Sequence, residues 1–79
     1  MVSDLTTARI ADLLAEMLTD ALGGDEVRWL ELIGPVTQLP LATHIHCNWS
    51  ISPIATGEEL RAIRAAEELL RGEHPYVHS

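Results

Sequence analysis

The hydrophobic positions of residues 4–22 recur with the spacing of an amphipathic helix. Ser3 or Asp4 is suited to cap its start, because a short side-chain oxygen accepts a hydrogen bond from an amide that has no intrahelical partner. Gly23 and Gly24 favour the end of the helix, since glycine readily adopts the left-handed conformation of a C-cap. The predicted apolar face consists of Ile10, Leu13, Leu14, Met17, Leu18, Ala21 and Leu22.

Two further segments have the patterns of strands. Residues 26–33 are rich in Val, Trp, Leu and Ile and follow a Gly-Gly-Asp turn signal, which predicts a first strand. Residues 43–51 alternate strictly between apolar and polar side chains, which predicts a second strand with one buried face. The apolar positions of this second strand are Thr43, Ile45, Cys47, Trp49 and Ile51.

A second helix is predicted over residues 57–71. Thr56 and Glu59 have the spacing of a capping box at its start. Its apolar side carries Ala62, Ile63, Ala66, Leu69 and Leu70. Gly72 is predicted to end the helix, and Pro75 prevents it from resuming.

The element order helix, strand, strand, helix predicts one αββα domain of the α+β class over residues 1–79. Consecutive strands usually pair as antiparallel neighbours, so both helices would cover one face of a two-stranded sheet. A lone two-stranded sheet is marginally stable in water. We therefore expect a partner, and the simplest one is a second copy that completes a four-stranded sheet.

The predicted first strand supports self-association because it is apolar on both faces. If Leu30 and Leu32 join the core, Val27, Trp29 and Ile33 point outwards. They would lie beside the polar face of the second strand, and an exposed patch of this kind typically marks an interface. We assign Trp49 to the core and predict a homodimer interface that includes Trp29, Ile33, His44, His46 and Asn48.

The connection between residues 34 and 42 is apolar and contains two prolines, whereas hairpin loops are usually short and polar. Two interpretations remain open for Val36, Leu39 and Leu41. They either fold back under the sheet or form a pre-ordered docking arm, in which proline lowers the entropy cost of binding.

Charge narrows the choice of partners. The 79 residues carry a formal net charge of −7 and have no basic stripe, so direct binding of nucleic acid is not expected. Asp12, Glu16 and Asp20 repeat every four residues along the first helix. They form either a solvated face or a row that a basic groove on a nucleic-acid-handling protein would bind.

Without a membrane-length apolar run or a basic leader, we expect a cytoplasmic protein that does not bind membranes.

Few residues are candidates for metal binding or catalysis. His44 and His46 would face the same side of the sheet as Glu31, and a third ligand from His74 or His78 would complete a zinc-like site. Solvated or interface histidines are the favoured interpretation. Cys47 has no disulfide partner in the chain, and alternation would direct its thiol away from both imidazoles, which opposes nucleophilic catalysis.

These patterns predict a non-enzymatic protein–protein interaction or assembly module without a cofactor. An acidic inhibitor and a histidine-based metal-binding module are the alternatives.

Overall fold

The computed structural model describes residues 5–43 and 45–77. Within them the elements are helix α1 (Thr7–Leu22), helix α2 (Glu26–Ile33), strand β1 (Val36–Gln38), strand β2 (Trp49–Ile51) and helix α3 (Gly57–Glu73). The mixed α+β class and the two-stranded antiparallel sheet are therefore confirmed. The order of elements differs from the prediction, because a helix stands where the first strand was expected.

Helix α1 begins later than the sequence predicts. Thr6 is its N-cap, and the Thr6 hydroxyl oxygen accepts from the backbone N–H of Arg9 at 3.3 Å. The predicted caps Ser3 and Asp4 lie outside the described residues. Gly23, at φ 78°, ends the helix as expected. The predicted apolar face is buried at Ile10, Leu14 and Leu18, whereas Leu22 is exposed.

Residues 26–33 form a helix and not the predicted strand. The Asp25 carboxylate caps this helix by accepting from the backbone N–H of Val27 at 3.0 Å. Trp29 and Ile33 share one face in a helix, as they would in a strand, but the helix packs that face into the core, whereas the predicted strand would have turned it outwards. Glutamate, arginine and leucine all favour the helix, and Gly34 at φ 74° supplies its C-cap.

Strand β1 comes from the segment that was predicted to be a linker. Val36, Thr37 and Gln38 pair with Ile51, Ser50 and Trp49, respectively. Pro35 and Pro40 bracket β1 and lack the N–H groups that would extend the ladder. This short partner limits β2 to the last three residues of the predicted strand 43–51. Trp49 and Ile51 are buried as expected, but Ile45 is exposed.

Helix α3 runs two residues beyond its predicted end. Thr56 is the N-cap residue, but its side chain makes no capping hydrogen bond. The helix continues through Gly72, and the backbone N–H of His74 donates to the Leu70 carbonyl at 2.7 Å. Ile63, Ala66 and Leu70 are buried as predicted, whereas Leu69 is exposed.

The core draws on every element except β1, together with Ala55 and the C-terminal tail. Its buried hydrophobic residues are Ile10, Leu14, Ala15, Leu18, Trp29, Ile33, Trp49, Ile51, Ala55, Ile63, Ala66, Leu70 and Val77. Among the described residues, no helix combines the length and apolarity that crossing a membrane requires.

Candidate interaction surfaces

An apolar groove of about 250 Å³ runs between α1 and α3. We call it the α1–α3 groove. Of its lining residues, Leu18 and Ala66 are buried, whereas Leu22 and Leu69 are 61% and 63% exposed. Every side chain that lines it is apolar: Met17, Leu18, Ala21, Leu22, Ala62, Ala65, Ala66 and Leu69.

Charged residues stand next to groove residues in the sequence of both helices. Asp20 precedes the groove residue Ala21 on α1, and Arg61 precedes Ala62 on α3. Both are exposed, and neither makes an ion pair within residues 5–43 and 45–77.

Residues at the start of β2 and just before it form hydrogen bonds with the chain that follows α3. The backbone N–H of Asn48 donates to the Pro75 carbonyl at 3.0 Å, and the Trp49 indole N–H donates to the His74 carbonyl at 2.8 Å. The Tyr76 hydroxyl donates to the Ile45 carbonyl. These bonds leave Ile45 and Tyr76 exposed side by side, and we call this pair the loop–tail surface.

A cleft of about 580 Å³ adjoins the loop–tail surface. Arg71 forms part of its wall, and its guanidinium lies 5.2 Å from the centre of the Trp49 ring. The lining mixes a hydroxyl, a thiol, an imidazole and charges of both signs, in Thr43, Ile45, His46, Cys47, Glu68, Arg71 and Gly72.

Glu67 forms ion pairs with two arginines, Arg64 and Arg71, beside this cleft. Its buried carboxylate accepts from Arg64 Nη1 at 2.9 Å and from Arg71 Nη2 at 2.6 Å. The Nε of Arg71 is buried and has no hydrogen-bond partner among residues 5–43 and 45–77. One carboxylate is therefore shared by two guanidinium groups, which reduces their combined positive charge.

The residues predicted to form the homodimer interface do not share one surface. Trp29, Ile33 and Asn48 are buried, the first with its indole N–H donating to the Gly23 carbonyl at 3.0 Å. They are buried because 26–33 is a helix that packs on α1, and because Asn48 binds the C-terminal tail. His46 is exposed, and His44 lies outside the described residues.

The structure places the three apolar residues of the 34–42 segment in different surroundings. Val36 is half-buried against the core, and Leu39 is half-buried with its N–H donating to the Asn48 carbonyl at 2.6 Å. Leu41 is exposed. The segment thus supplies a strand and leaves the Leu41 side chain exposed.

The residues that the sequence suggested for metal binding, catalysis or acidic recognition lie apart from one another in the structure. Glu31 lies exposed on α2, whereas His46 lies in the bend before β2. Among residues 5–43 and 45–77, no three His, Cys, Asp or Glu side chains are grouped so as to hold a metal ion.

Cys47 is half-buried, and its thiol is 3.5 Å from the Trp49 carbonyl oxygen, to which it donates. Asp12, Glu16 and Asp20 are exposed on α1, and Glu16 pairs with Arg9 at 3.6 Å.

The sequence interpretation missed the α1–α3 groove. Leu22 and Leu69 were assigned to faces packed within the chain, and Ala65 was assigned to neither side of its helix. A signal was present: the apolar stripe of α3, widened by Ala62, Ala65 and Leu69, is broader than the buried face requires.

Comparison of this chain with protein-family models, with curated proteins and with solved structures finds no match.

Proposed function

We propose that this domain is a non-enzymatic protein–protein interaction module that assembles as a homodimer. The α1–α3 groove supports the proposal, because all its lining side chains are apolar and two of them, Leu22 and Leu69, are more than half exposed. Contiguous apolar surface of this kind is unfavourable in water and typically marks an interface. Covering it would add buried surface to a domain too short to bury much on its own.

The groove is a better self-association surface than the edge of the sheet. Each strand has three residues, so edge pairing into four strands would add few hydrogen bonds. Edge pairing would also leave Leu22 and Leu69 in water. A dimer that covers the groove removes this apolar surface from solvent.

The mass of the untagged protein in solution tests the proposal. We expect light scattering after size exclusion to give twice the chain mass at micromolar concentration, with dissociation on dilution. The same mass should be found with a chelator present. A folded monomer at every concentration would contradict the homodimer. Loss of mass or fold with the chelator would favour a histidine-based metal site.

A second candidate function rests on the exposure of Asp12, Glu16 and Asp20 along α1. Such a row suits a basic groove on a nucleic-acid-handling protein. Binding led by charge weakens steeply as ionic strength rises, whereas association through the groove changes little. Titration against a model polycation at low and moderate salt tests this role, and an absence of salt-dependent binding would argue against it.

A further inference from the structure

We infer that Asn48 and Trp49 form a binding site for an extended peptide segment of another protein, and that residues 74–77 of this chain occupy the site as a tethered competitor. We call residues 74–77 the tail. The site is separate from the surface of the proposed homodimer, because neither Asn48 nor Trp49 lines the α1–α3 groove. It therefore adds a second binding function to the domain.

The hydrogen bonds to the tail are directed at its backbone. The Trp49 indole N–H donates to the His74 carbonyl, and the backbone N–H of Asn48 donates to the Pro75 carbonyl. The Asn48 side chain bonds to both the carbonyl and the N–H of Val77, at 2.8 and 2.7 Å. These four bonds involve main-chain atoms that other extended segments also present, which is how proteins bind peptides with tolerance for sequence.

One side chain of the tail supplies specificity. Val77 is 6% exposed and belongs to the hydrophobic core, whereas Tyr76 is 41% exposed. The position of Val77 therefore requires an apolar side chain of similar size. It also excludes proline, which has no N–H for the Asn48 carboxamide oxygen to accept. The ligand is thus an extended segment with a small apolar residue whose N–H and carbonyl can both bond to Asn48.

The site does not depend on the tail for its position. Trp49 pairs with Gln38 in the sheet, and the Asn48 carbonyl accepts from the backbone N–H of Leu39 at 2.6 Å. Of the four tail residues, only Val77 contributes to the buried core. Opening a short segment with one buried side chain exposes little apolar surface, so it costs less than global unfolding. The strand pairing keeps Asn48 and Trp49 in place when the tail leaves.

A fluorescent peptide with the sequence of residues 73–79 tests the site. In the parent protein the tethered tail competes with the peptide, because only the open fraction of the chain can bind it. Val77→Pro weakens the tethered tail by removing the N–H that Asn48 accepts from. We therefore expect this full-length variant to bind the peptide about tenfold or more tightly than the parent. Glu73→Gln, at an exposed residue before the tail, is the control and should stay within about twofold of the parent. Fluorescence anisotropy measures all three.

Two variants of the peptide show whether it binds as the tail does. Val77→Pro within the peptide should weaken binding to the Val77→Pro protein about tenfold, because the N–H is lost. His74→Ala within the peptide should change binding by less than about twofold, since Trp49 bonds to the backbone of that residue.

Several outcomes would overturn the peptide site. These are equal affinity of the parent and the Val77→Pro protein, no binding to the folded variant, or a proline-containing peptide that binds as tightly as the original. Circular dichroism shows whether the variant is folded. If it is not, saturating peptide should restore the fold, and failure to do so would show that the tail is a fixed part of the core.

The mass of the Val77→Pro protein identifies the source of the segment. Sedimentation velocity should give the same mass for this variant and for the parent, because the tail site is separate from the α1–α3 groove. A parent dimer that becomes a monomer on Val77→Pro substitution would overturn the foreign segment and make the tail of a second copy the ligand.

Discussion

Asn48 and Val77 are joined by two hydrogen bonds although 29 residues separate them. The Asn48 amide donates through Nδ2 to the Val77 carbonyl at 2.8 Å, and Oδ1 accepts from the Val77 N–H at 2.7 Å. Both residues are buried. A single side chain thus satisfies both backbone groups of a tail residue, much as a neighbouring strand would.

The first prediction concerns this pair of bonds. Asn48→Ala leaves the N–H and the carbonyl of Val77 buried without partners, so we expect it to lower the free energy of unfolding by about 2–4 kcal/mol. Urea denaturation followed by tryptophan fluorescence measures the change, at one protein concentration for all variants. Gln38→Ala, which removes an exposed amide, should change stability by less than about 0.5 kcal/mol. Equal midpoints for the two variants would show that the Asn48 bonds do not anchor the tail.

The second prediction compares two glycines that end helices. Gly23 and Gly34 have nearly the same backbone angles, φ 78° and 74° with ψ −164° and −168°, in a region that is costly for any other residue. A Cβ on Gly23 would meet nothing within 4 Å, whereas one on Gly34 would lie 3.0 Å from the Ser52 carbonyl oxygen. Both alanine variants should therefore be destabilised, Gly23→Ala by about 1–2 kcal/mol and Gly34→Ala by roughly 1–2 kcal/mol more. Thermal denaturation of the two variants side by side measures the difference. Equal losses would indicate that the Ser52 backbone moves away at little cost.

Local pattern was sufficient for the two long helices because their apolar spacing fits only one structure. Apolar residues recur at mixed steps of three and four between residues 10 and 18, which strand alternation does not match, and the structure buries Ile10, Leu14 and Leu18. Residues 26–33 lack this discrimination: eight residues with apolar side chains at 27, 29, 30, 32 and 33 fit either period. These residues form a helix because they pack on α1 and because Asp25 caps their first turn. Amino-acid composition alone reflects neither contact.

The candidate surfaces were harder to predict because they depend on contacts between distant segments. Nothing near Asn48 in the sequence indicates that Val77 binds it. The groove likewise exists because α1 and α3 lie together with Leu22 and Leu69 beside their junction. Periodicity assigns a side chain to a face of its helix, but it does not reveal how much of that face a neighbour covers.

The third prediction tests the carboxylate shared by two arginines. Glu67→Gln removes the charge that Arg64 and Arg71 both bind while keeping the size of the side chain. Both guanidinium groups are about half exposed and stay partly hydrated, so we expect a loss of about 1–2 kcal/mol and not the larger cost of an uncompensated buried charge. Glu68→Gln, at the exposed neighbouring position, is the matched control and should change stability by less than about 0.5 kcal/mol. Denaturant midpoints measure both, and a loss no greater than the control's would mean that the ion pairs do not stabilise α3.

The last prediction addresses α2, where the structure reverses the expectation from sequence. Trp29 is 8% exposed, and its indole N–H bonds to the Gly23 carbonyl, so Trp29→Ala should lower the free energy of unfolding by about 3–5 kcal/mol. Val27→Ala, two residues earlier on the exposed side of the same helix, should be neutral or stabilise by up to about 0.5 kcal/mol, because alanine has the higher helix propensity. In a strand the same Val27 substitution would destabilise, since β-branched residues favour strands. Urea denaturation followed by circular dichroism gives both values. Substantial destabilisation by Val27→Ala together with a small effect of Trp29→Ala would instead support the strand with an outward-facing tryptophan.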